Sequence, residues 1–87
     1  MTQKIYTVTP KGVQAINNRD ERNMPENNRS LSYSKAQAFR VLQVMKGRKP
    51  FNRDQASTIL STVTQIKRLV IQQMLGDLRK KGFLRLS

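Results

Sequence analysis

The sequence predicts a mainly α-helical domain carrying a small β-sheet, and three observations predict it. Three capped amphipathic segments follow one another between Ser34 and Gly82. A β-branched alternation occupies residues 4–9, and a second apolar alternation closes the chain at residues 83–86. Between the first strand and the three segments lies a stretch too polar to build a core. The expected layout is a three-helix core over residues 34–87, with the strand and short helix of residues 1–18 packed on it. A polar flexible linker, residues 19–33, joins the two.

Residues 4–9 place Ile5, Thr7 and Thr9 on one face of a strand and Tyr6 and Val8 on the other. Thr9 followed by Pro10 reads as an N-cap and a first helical residue, where the missing N–H of proline costs nothing. Val13 and Ile16 give this helix a small apolar face, and it should end by Asn18. Residues 17–32 then hold five asparagines and almost nothing apolar. Such a segment cannot bury enough surface to offset its ordering entropy. The mixed charges of Arg19, Asp20, Glu21 and Arg22 suit a solvated surface better than an arm lying along a DNA groove, because arms of that kind are basic throughout.

The first core helix starts at Ser34, which with Gln37 completes a capping box. Ala38, Phe39, Leu42 and Met45 follow at helical spacing; Phe39 and Leu42 are expected in the core, and Gly47 as the left-handed stop. Arg48, Lys49 and Pro50 form a basic connector, and Phe51 closes a very short strand. Asn52 and Gln55 repeat the capping pattern, with Ala56, Ile59, Leu60 and Val63 as the inner face of a helix of about ten residues. The small Ala56 lets another helix cross closely, as a helix-turn-helix requires. Thr62 and Thr64 can both cap, which places the turn at residues 62–65 with Ile66 anchoring it.

The third helix, residues 65–81, carries Val70, Ile71, Met74, Leu75 and Leu78 as its inner stripe. Projection at 100° per residue puts Leu69, Gln72, Gln73 and Gly76 on the opposite face and Arg68 at its border. Glycine inside a helix costs roughly 1 kcal/mol against alanine, so Gly76 implies either close packing or a bend. Arg79, Lys80 and Lys81 complement the negative end of the helix dipole, and Gly82 ends it.

Seventeen lysines and arginines against five acids give a net charge of +12, and twelve of those cations but only two of the acids lie in residues 34–87. A chain this basic repels itself unless its field faces a polyanion, of which nucleic acid is the commonest. The chain has no cysteine and no histidine, which excludes disulfides, zinc fingers and imidazole ligands. The acids are scattered and the four glycines stand apart, so neither paired carboxylates nor a phosphate-binding loop is present. No catalytic, metal or cofactor residues are expected, and no enzyme. Five aromatics form no stacking platform for single-stranded RNA. No apolar run approaches the roughly 20 residues that span a bilayer and the first residues lack a signal peptide, which predicts a cytoplasmic, nucleoid-associated protein with no membrane partner.

The run Leu78-Arg79-Lys80-Lys81-Gly82-Phe83-Leu84 resembles the junction between recognition helix and first wing strand in winged helix-turn-helix proteins, familiar from bacterial repressors of the multiple-antibiotic-resistance type. The resemblance covers residues 34–86. Family members continue from this strand through a wing loop into a second strand, for which this sequence has no residues left. The N-terminal strand is therefore expected to pair with residues 83–86 and to cover their edge, as if the order had been permuted. The resemblance implies a third helix lying in the major groove of double-stranded DNA. Gln72 and Gln73 would pair with adenine, Arg68 with guanine, and Leu69 would meet a thymine methyl. Thr64, Gln65, Lys67, Arg53, Lys49 and Arg48 would hold phosphates. A small transcriptional or replication regulator is one implied function. The other is an inhibitor or adaptor docking on an acidic protein, with Leu69 as a contact to a homodimer mate or partner and the two glutamines as ordinary polar surface.

Overall fold

The computed structural model describes residues 4–48 and 51–87, and among them four helices surround a three-stranded antiparallel sheet. In chain order these are β1 (Ile5–Val8), α1 (Pro10–Asn17), α2 (Lys35–Lys46), β2 (Phe51–Asn52), α3 (Arg53–Thr64), α4 (Arg68–Lys80) and β3 (Leu84–Leu86), with a short 3₁₀ turn at Glu21–Asn23. The strand order is β2-β1-β3. β1 therefore lies in the middle, pairing Tyr6 with Phe51 on one side and Tyr6, Thr7 and Val8 with Leu86, Arg85 and Leu84 on the other. The expected pairing of the N-terminal and C-terminal strands is present, extended by bonds in both directions between Ile5 and Ser87 at 2.8 and 3.1 Å.

Local signals account for most of the helix ends. Thr9 accepts from the Gly12 amide, and Ser34 and Gln37 form the reciprocal capping box. Gly82 is left-handed at φ +85°, with its own N–H donating to Arg79 and that of Phe83 to Leu78, which is the Schellman closure of a helix. At the corner joining α1 to β3, a side-chain carbon at Gly12 would meet the Phe83 carbonyl and lie 2.8 Å from Val8 Cγ1. Only glycine lets α1 start there.

The core is one cluster that includes Ala38, Val41, Leu42 and Met45 from α2, Ala56 and Leu60 from α3, Ile71, Met74, Leu75 and Leu78 from α4, Tyr6, Phe51 and Leu84 from the sheet, and Phe83 just before β3. Four expectations are corrected in this frame. Phe39 is only partly buried, because it projects about 100° from Ala38 and sits at the flank of the inner stripe. Gly47 is right-handed at φ −76°, its N–H still bonding to Gln43, so α2 runs out without a left-handed stop.

The turn lies later than expected, at residues 65–67. Thr62 and Thr64 do not cap; their hydroxyls donate back to the carbonyls of Thr58 and Leu60 at 3.0 and 2.6 Å, which prolongs α3. Gln65 takes the left-handed position at φ 61°, and Ser61 Oγ donates to the Ile66 carbonyl at 2.6 Å to seal the turn. Finally, residues 19–33 do bury apolar surface. Met24 is 1% exposed and Tyr33 4% exposed, both within the core cluster, and Asn27 pairs with Tyr33 in an isolated antiparallel bridge.

Candidate nucleic-acid interface

α4 carries the candidate site. It starts at Arg68 with no side-chain cap and no acid in its first turn, and Lys67 stands at the N-cap position. Helix starts carry unsatisfied amides and partial positive charge, so two cations there are repelled where an anion would be held. Both side chains are exposed. Next to Arg68 in sequence, Leu69 is 60% exposed, a large apolar side chain left in water.

The two predicted glutamines face different neighbours. Gln72 and Leu75 border a hollow shared with Tyr6 of β1 and Arg53, Asp54 and Ser57 of α3. This brings a predicted base-reading residue beside a predicted phosphate-binding one. Arg53 ends near Asp54 at 3.7 Å, an exposed pair that water screens heavily. Its backbone N–H donates to the Lys4 carbonyl at 2.8 Å, fixing the start of α3 against β1.

Gln73 points to the other flank. Its amide donates to both carboxylate oxygens of Asp77 at 3.2 Å, and Asp77 also accepts the Tyr33 hydroxyl. Burial, and then the bond and charge of Asp77, push the Tyr33 phenol well above its ordinary range. Gln73 is thus tied to Asp77 on its own helix, at the border of a hollow that residues 22–31 also line.

The remaining phosphate candidates divide. Gln65 is exposed in the turn, whereas the Thr64 hydroxyl is committed to Leu60. Arg48 borders a hollow with Tyr6, Thr7, Val13 and Met45, among β1, α1 and α2. Lys49 lies outside the described residues. Sequence reading missed Tyr33 and Asp77; the four-residue spacing of Gln73 and Asp77 is a helical pairing pattern that signals one of these contacts.

Gly76 lies between the two flanks, and a side-chain carbon there would meet nothing within 4 Å. Close packing inside the fold is therefore not its reason. No helix among the described residues is long and apolar enough to cross a membrane, and no group of three or more potential metal ligands occurs among them. No protein-family model, curated protein or solved structure matches this chain.

Proposed function

We propose that this chain is a winged helix-turn-helix protein that binds double-stranded DNA with the leading half of α4 in the major groove. One observation carries the reading: α4 begins uncapped, with Lys67 and Arg68 at its positive end and Leu69 and Gln72 exposed directly behind them. A phosphate at that end would satisfy the free amides and relieve the repulsion between helix dipole and cations. Arg68 then reaches guanine, Gln72 adenine, and Leu69 a thymine methyl. Arg53, beside Gln72, takes a phosphate of the flanking backbone. The antiparallel pairing of β1 with β3 supports the reading, because a wing would supply a second strand beside β3. The protein works in the cytoplasm as a small regulator of transcription or replication.

The exposure of Leu69 favours a second reading, in which the same face docks on an acidic protein or a second copy of this chain. Selection of bound duplexes from a random pool, followed by fluorescence anisotropy at physiological salt, separates the two. A DNA reader enriches a defined site and holds it more tightly than random duplex. Lys67→Ala then weakens every sequence alike and lowers the salt slope by about one. No enrichment, with no salt-dependent affinity for any duplex, refutes the DNA reading.

A further inference from the structure

A wide hollow lies beside the α4 face. It is a groove of about 890 Å³ between residues 22–31 and the last turn of α4. That size is near the top of the range for small-ligand pockets, about 300–1,000 Å³. Its walls are unlike theirs, since five cations border it: Arg22, Arg29, Lys35, Lys80 and Lys81. Two acids, Glu26 and Asp77, face them and both are already answered. Lys35 lies 4.0 Å from Glu26, and Asp77 accepts from the Tyr33 hydroxyl and the Gln73 amide. Arg22, Arg29, Lys80 and Lys81 have no carboxylate within ion-pairing distance among the described residues.

The two arginines are held on a framework. Met24 and Pro25, between them in sequence, are buried, Asn27 donates to the Leu31 carbonyl at 3.0 Å, and the Arg29 amide donates to Asn27 at 3.1 Å. Charges positioned in advance lose less entropy on binding than charges on a free arm. Gln73 and Lys80 belong both to the groove and to the exposed side of α4, so the two surfaces are continuous.

We propose that this groove takes a phosphodiester backbone of the same duplex that α4 reads, which makes residues 22–31 a second phosphate-binding element. The proposal rests on the DNA reading above. A strand of duplex presents one charge per about 3.4 Å of helix axis, and so places successive anions along such a row of cations. Arg22 and Arg29 contact phosphate and not base edges, so they set affinity and register without choosing sequence.

The test compares two double variants of equal charge. Arg22→Gln with Arg29→Gln removes the two loop cations. Arg19→Gln with Arg40→Gln removes two exposed cations that border no part of the groove. Anisotropy titrations of a random duplex over a salt series give each salt slope, with thermal melts confirming that both variants fold. The groove pair should lower the slope by about two and leave the selected site unchanged, while the control pair lowers it by less than about one. Equal losses in both pairs would mean a diffuse field only, and an unchanged slope in the groove pair would mean no contact; either overturns the groove while DNA binding by the unaltered protein stands. If the unaltered protein binds no duplex, the DNA reading itself fails and the groove proposal falls with it. An acidic peptide held by the unaltered protein and lost in the groove pair would assign the groove to a protein partner, again overturning the proposal.

Discussion

Gln72 and Gln73 are neighbours in sequence, yet the two flanks of α4 treat them as different residues. On the sheet flank Gln72 is exposed and borders an open hollow with Arg53. On the loop flank Gln73 is tied to Asp77, which is tied to Tyr33, which is buried with Met24. A helix face predicted as uniform is therefore divided into a free side and a braced side. Adjacent residues on a helix point about 100° apart, and whatever packs beside the helix decides which of them is available.

The most severe way to break this comparison is to remove the brace. Met24 is almost fully buried, and Met24→Ala should cost about 2–5 kcal/mol in urea unfolding. A loss below about 1 kcal/mol would show that residues 19–33 contribute little to the fold. On the free flank, Arg68→Ala and Gln72→Ala should each remove roughly 1–3 kcal/mol of discrimination at one base position. Gln73→Ala should remove less, because its amide already has a carboxylate partner. Equal effects of the two glutamines on a selected duplex would erase the distinction between the flanks.

A smaller effect is expected at Tyr33. Tyr33→Phe deletes a hydrogen bond to Asp77 and should cost about 0.5–1.5 kcal/mol near neutral pH. The sign of its pH dependence follows from the raised phenol. An unfolded tyrosine releases its proton near pH 10.0, whereas the folded one retains it. Above that pH the unfolded chain binds fewer protons, so stability falls as pH rises. The phenylalanine variant lacks this decline, and its deficit against the unaltered protein should shrink as pH climbs past about 10. A deficit that stays constant across that range would show that the folded phenol is not raised.

These flanks also show how much the sequence discloses. The helices were legible because their signals are local: the Ser34 and Gln37 box, Thr9 before Pro10, and the inner stripe of α4 that ends at Gly82. The placement of β1 against β3 followed from an edge that needed covering. The turn before α4 was not legible, since glutamine does not announce a left-handed residue and nothing in sequence says whether Thr64 caps forward or bonds backward. Nor was the brace, because one methionine among asparagines and charges has no periodicity to betray its burial. For the site, helical projection put Leu69 and Gln72 on the outer face and Arg68 at its border, and the four-residue spacing of Gln73 and Asp77 was open to reading, whereas the bond from Tyr33 to Asp77 joins residues 44 apart and left no local signal.

Gly76 supplies the mildest test and bears on both flanks at once. It sits inside α4, where glycine costs roughly 1 kcal/mol against alanine, and no atom of the fold occupies the space a methyl group would fill. If the helix mattered only for the fold, Gly76→Ala would be an improvement, raising stability by up to about 1 kcal/mol and the melting temperature by roughly 4–8 °C. The same methyl group would protrude between Gln72 and Gln73 on the side proposed to meet DNA, where a base edge or backbone approaches the bare helix. The expected outcome is thus a split: a higher melting temperature together with weaker binding of the selected duplex. Higher stability with unchanged affinity would place the partner elsewhere on α4. Lower stability would mean that the glycine answers a backbone requirement, and the bend first suggested by its position would return as the explanation.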